Sequence, residues 1–229
     1  MATRFYFQRT TAAQISPAYG SGWTQTASAS RYLLVTAKGA ESLQGSSNAG
    51  GTDQALETFL RSQWVSPLLT AQTVTAQAIK AQFEANESNA LNNNFLYIKI
   101  RVVDGRSGVH KSDILALTAD DVEFGVTTDT NRQFTATTTE QTLINGDRLV
   151  IEVGHGGTNS AGGDHTGTVV IGNSSGTDLP EDDTTQSALA RPPWLEFVTF
   201  DFTTYQPPTH RPIKNRSLRP AIFTPGRAV

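Results

Sequence analysis

The chain of 229 residues is 37% hydrophobic and contains no cysteine, which excludes a disulfide framework, a thiolate metal site and a thiol nucleophile. Its net charge of -3 conceals an asymmetry. All 21 acidic residues lie at or before Asp201, whereas five of the 18 basic residues follow it, leaving the body at -8 and the tail at +5.

Taken in chain order, Arg4 to Gln8 reads as a strand rather than as a charged region leading into an apolar run. No window reaches the roughly eighteen apolar residues of a membrane span. The expectation is a soluble protein without a classical export signal and with no membrane partner. Tyr32 to Thr36 is the next strand, and Gly39 to Gly51 reads as a loop. Thr52 or Asp53 is placed to cap a short helix, since Leu56, Phe59 and Leu60 share a helical face. The same stretch equally begins a strand containing Trp64 and Val65, and both readings stay open here.

Thr73 to Glu84 fits a strand, and the pattern is clearest after Asn86. Leu96, Ile98, Ile100 and Val102 alternate with Tyr97, Lys99 and Arg101 before the turn at Asp104-Gly105, so one face is buried and the other mixed. Val122 to Val126 and Gln133 to Thr139 follow. Asn145-Gly146 then supplies the left-handed dihedrals of a tight hairpin turn before the strand Arg148 to Val153. Gly154 to Gly163 is too glycine-rich to hold a shape unless something orders it. Gly167 to Gly172 and Trp194 to Phe202 are strands, with a loop over Asn173 to Pro193 between them. About eight to ten strands at turn-punctuated intervals predict an all-β, two-sheet, jelly-roll-like sandwich over residues 1–203.

From Thr203 the character changes. Pro207, Pro208, Pro212, Pro220 and Pro225 are half of the ten prolines, a spacing that forbids both helix and central strand. Arg211, Lys214, Arg216, Arg219 and Arg227 alternate with Ile213, Leu218, Ile222 and Phe223. A merely solvated tail has no need of those apolar residues. Residues 204–229 therefore read as an extended basic arm that docks on a partner surface through these positions together with Pro207 and Pro208.

Catalytic and ligand-binding patterns are sparse. His155, Asp164 and His165 are possible divalent-metal ligands, but the glycine run between them fixes no geometry and no zinc-site spacing is present. Glu181-Asp182-Asp183, after Asp178, lacks the alternating acids and central glycine of a calcium loop. No Gly-x-Ser-x-Gly elbow and no phosphate cradle occurs, so no cofactor is expected. Five cations among prolines, without stacking aromatics and beside an acidic body, argue against nucleic acid. Trp23, Trp64, Tyr97 or Trp194 could stack a sugar ring, although each tryptophan fits the core better.

Several segments recur together in a known order: Thr3-Arg4-Phe5-Tyr6-Phe7, Ser16-Pro17-Ala18 with Gly22-Trp23, Arg61 to Leu68, Glu87-Ser88-Asn89-Ala90 leading into Leu96 to Val103, Gly146 to Gly154, and Pro193 to Phe197. Over residues 3–200 this pattern resembles a family of jelly-roll virion structural proteins of tailed bacteriophages and prophages. The resemblance implies a protein of the virion surface that is not an enzyme, a capsid decoration (cement) protein first and a neck or tail-fibre adaptor second. It implies other virion proteins, the major capsid protein or neck and tail proteins, as partners, and homo-oligomerisation. A glycan-binding module on the particle is the competing class. The family transfers no catalytic residues, and the arm lies outside the resemblance.

Overall fold

The structure, a computed structural model, describes residues 2–39, 55–158, 166–172, 176–182 and 191–208, and the backbone of 44–49. It is an all-β sandwich. One sheet runs in the order β1 (Thr3–Tyr6), β14 (Trp194–Phe197), β6 (Ala78–Glu87), β13 (Thr166–Ile171) and β3 (Gln44–Ala49), and β9 (Gly125–Val126) and β10 (Thr130–Thr137) also pair with β6. The second sheet runs β2 (Ser30–Leu33), β4 (Glu57–Val65), β12 (Asp147–Gly157), β7 (Asn94–Asp104) and β8 (His110–Ala119). A two-stranded ladder joins β5 (Gln72–Val74) to β11 (Gln141–Leu143). Pairing is antiparallel except for β2 with β4 and β9 with β6.

The alternation in β7 and β12 explains the core. Leu96, Ile98, Ile100 and Val102 of β7, with Leu149, Ile151 and Val153 of β12, face inward and meet Phe5, Ile79, Phe83, Phe134 and Phe197 of the opposite sheet. Phe7 bridges the layers, with ring centroids 4.8 Å from Trp64 and 5.0 Å from Phe83. Such packing anchors the sheets face to face.

The outward face of the second sheet is not open to water. Lys99, Arg101, Glu152 and Gln63 point away from the core yet are buried, because residues 13–23 lie across them as a strap. Ala13 and Ile15 pack on Val65, Val103 and Val150, and Trp23 donates to Glu152.

Several expectations need correction. Of the two readings open around Phe59 the structure shows strand β4, in which every residue from Glu57 to Val65 except Arg61, at a bulge, pairs with β12. The strand expected over Thr73 to Glu84 is two strands, β5 and β6, which separate at Thr75-Ala76-Gln77. Gln44 to Ala49 is strand β3 rather than loop, paired with β13. His110 to Ala119 carries no clear alternation but completes the β7–β8 hairpin through irregular register. The glycine-rich run begins as strand: Gly154, Gly156 and Gly157 end β12, and a Cβ at Gly154 would lie 2.0 Å from the Phe59 carbonyl oxygen. Gly146 does take the left-handed conformation (φ 92°), but the strands its turn joins pair elsewhere.

Candidate functional site

The point where the chain leaves the sandwich is well defined. Beyond β14, Thr199 and Asp201 hydrogen-bond Gln77 and Gln72, the Thr203 carbonyl accepts from Thr70 N–H (3.0 Å), Thr204 bridges Leu69, and Tyr205 N–H donates to the Leu68 carbonyl (2.7 Å). Thr204 and Tyr205, placed in the arm by composition, are thus tied to the body. Gln206, Pro207 and Pro208 are exposed and begin the departure. Arg211, Ile213, Lys214, Arg216, Leu218, Arg219, Ile222, Phe223 and Arg227 lie outside the described residues.

Beside this clamp is an open groove of about 960 Å³ between β1 and β5, floored by Tyr6, Phe200 and Phe202 and walled by Arg4, Thr36, Gln72, Thr73, Thr75 and Asp201. Arg4 organises its rim. The guanidinium lies 3.8 Å over the Trp194 ring and pairs with Asp178 (2.9 Å) and Glu196 (3.0 Å). Burial opposes ionisation of Asp178, but bonds from Lys38, Tyr6 and Arg4 outweigh it and hold the carboxyl below its usual range. Burial first, and the bond to Asp178 second, push the Tyr6 phenol up to about 12. Glu181 is held below its usual range by Lys80, so part of the expected acidic loop is engaged in ion pairs; Asp183 lies outside the described residues. Sequence reasoning missed Arg4 as an organiser, since its partners are more than 170 residues away.

A second polar centre sits under the strap. Fully buried Glu152 accepts from Gly20 N–H, Trp23 Nε1, Gln63 Nε2 and Arg101. Lys99 pairs with Asp113 at 2.8 Å. A cavity of about 380 Å³ between the strap and the β7–β8 turn touches both cations, His110 and Gly108. Four donors around one carboxylate satisfy its lone pairs, as a buried charge requires.

The third lies at one end of the sandwich. His155 is completely buried, stacked on Phe59, with Nδ1 3.0 Å from Asn94 Oδ1. Burial drives its pKa down to about 3, so the ring is neutral. Asn94 donates from backbone and side chain to Glu87, whose carboxyl burial lifts to about 7, Asn94 opposing and nearby Glu123 adding. Asp120 is likewise raised to about 6 by burial. The segment 120–127 closes over this end through Phe124 N–H to Asn94 O and Thr127 N–H to Glu87 O, and Arg132 binds the Glu123 carbonyl. Of the three possible metal ligands weighed in the sequence, His155 is here, and Asp164 and His165 lie outside the described residues. Among the described residues no three His, Asp or Glu side chains gather as a metal site.

Trp64 and Trp194 are completely buried and Trp23 nearly so, so all three belong to the core rather than to a sugar-stacking face.

No protein-family model and no curated protein matches the chain. Among solved structures it is similar to a CocE/NonD family hydrolase from Staphylococcus aureus (8% identity, TM-score 0.43) and an aminopeptidase from the marine sediment archaeon Thaumarchaeota archaeon (10%, 0.45). Each match covers 86% of this chain and 36% of the other. A VP2 subviral particle of infectious bursal disease virus matches at 13% identity and TM-score 0.28, over 79% of this chain and 40% of the other. The chain thus spans little more than a third of the length of the structures it matches. Because the structures it is similar to include a hydrolase and an aminopeptidase, the expectation that the chain is not an enzyme is withdrawn. At such TM-scores the likeness assigns neither a reaction nor a capsid role.

Proposed function

We propose that this chain is a structural protein of a tailed-phage or prophage particle, a capsid decoration protein whose sandwich sits on the surface. The segment after Tyr205 fastens it to neighbouring virion proteins. The clamp of Thr203 to Tyr205 onto Leu68 to Thr70 carries the reading, because it makes a rigid launch point for a segment with five cations and no carboxylate. Prolines lower the entropy lost when such a segment orders on a partner, and its apolar residues fill pockets there. The ordered resemblance over residues 3–200 supports the same reading and points to the virion. A neck or tail adaptor would use the same attachment at a different location, and symmetry of the particle implies several copies.

Deleting residues 207–229 leaves the clamp intact and tests the proposal. The truncated protein is expected to unfold in urea at the same midpoint as the full chain and to be lost from purified particles. Undiminished incorporation would overturn the proposal.

A further inference from the structure

The groove beside β1 has a strand edge as one wall. Tyr6 N–H turns away from β14 to donate to the Val35 carbonyl at 3.0 Å. Backbone groups alternate direction along a strand with period two, so Arg4 N–H and C=O face the same side as those of Tyr6, into the groove. No described residue pairs with Arg4 on that side. An open edge of this kind is a template for an added strand.

We propose that this edge receives Ile213 to Arg219 from a second copy of the chain, an inference that rests on reading residues 209–229 as a docking segment. A pairing strand must offer N–H groups, which proline lacks. Between Pro208 and Pro212 there are three residues, between Pro220 and Pro225 four, and between Pro212 and Pro220 seven. Only the last window spans the four residues of β1 with margin.

Charge favours the same window. Lys214, Arg216 and Arg219 supply three cations; the groove itself is lined by Arg4 and Asp201, and the ion-pair cluster that Arg4 joins holds Asp178, Glu181, Asp182 and Glu196 against Arg4, Lys38 and Lys80. The surplus carboxylate meets a segment with none, the complementarity that fixes register between partners. In a strand Ile213 and Leu218 face opposite ways, so whichever face is turned inward brings one apolar side chain to the floor of Phe200, Phe202 and Tyr6.

Direction selects another copy. From Asp201 beside Gln72 to Tyr205 beside Leu68 the chain runs out of its own groove, and Pro207-Pro208 stiffen the path onward. Ile213, eight residues past Tyr205, reaches about 26 Å at an extended ~3.3 Å per residue. The same contact, repeated from copy to copy, links subunits head to tail.

The absence of cysteine makes the test direct. In the full chain, Thr73→Cys on the groove wall is combined with Ser217→Cys and, separately, with Leu218→Cys, which face opposite ways in a strand. Oxidation is expected to give covalent dimers and longer multimers with one of the two pairs, in a yield that rises with protein concentration. That yield should exceed at least tenfold that of controls carrying Ala116→Cys on exposed β8. Control-level yield with both pairs, or a cross-link formed within one chain at concentration-independent yield, would overturn the groove assignment. If truncation at 207 still abolishes incorporation, the docking role stands without this groove. If incorporation survives truncation, the docking role itself fails.

Discussion

Glu87→Gln is the most informative single substitution in the body. The carboxyl is fully buried beside Asn94 and near Glu123, and its pKa is raised from 4.5 to about 7. A carboxyl that binds its proton more tightly in the folded state stabilises the fold below pH 4.5, and that contribution is lost as pH rises through 7. A shift of this size corresponds to about 3 kcal/mol at ~1.4 kcal/mol per pKa unit. Glutamine keeps the shape and an acceptor for Asn94 N–H but cannot ionise. The variant is therefore expected to match the wild type within about 1 kcal/mol at pH 4.5 and to exceed it by up to about 3 kcal/mol at pH 8. Urea unfolding followed by fluorescence of the buried tryptophans, at four pH values between 4.5 and 8, measures the difference directly. Asp120 and the depressed carboxyls Asp178 and Glu181 titrate in both proteins and cancel. Parallel stability curves across this range, or a variant weaker than the wild type at pH 8, would refute the reasoning.

Other substitutions probe the remaining sites. Glu152→Ala strands Arg101 as a buried cation and removes the acceptor of Trp23 and Gly20, so unfolding free energy should fall by about 3–5 kcal/mol, with the strap loosened in hydrogen exchange. Trp64→Ala opens a cavity between the sheets and should lower stability by about 3–5 kcal/mol in the same urea assay. Gly154→Ala drives a methyl into the Phe59 carbonyl and the Trp23 ring, and a loss of at least ~1–3 kcal/mol is expected, with neutral behaviour contradicting the close β4–β12 approach.

Much of the architecture was legible in local pattern. The inward row of Leu96, Ile98, Ile100 and Val102 could be read from period-two alternation, and the left-handed Gly146 from its dipeptide. The partners of the intervening row could not. Lys99 and Arg101 look like solvent-facing residues, and nothing near them in sequence announces that residues 13–23 will cross over and bury them. The same limit hid the groove, since Arg4, Asp178 and Glu196 converge only when β1, β14 and the segment before β14 are brought together. Glycine misled in the opposite direction. A run that composition reads as loop begins as strand, because the facing backbone leaves no room for side chains there. For the docking segment, composition shows charge and proline spacing, and the structure adds the place from which it starts.

The position of β14 in its sheet governs how the molecule is made. Among the described residues it is the last strand, yet it lies between β1, the first, and β6. While a ribosome is still working toward Trp194, the flank of β6 that will receive it stays bare and β1 lacks its ladder partner. Closure must await synthesis of that late segment. Pairings this remote in sequence set folding on a timescale of roughly milliseconds to seconds rather than microseconds. During that interval the nascent chain is open to pairing with other nascent chains on the same message.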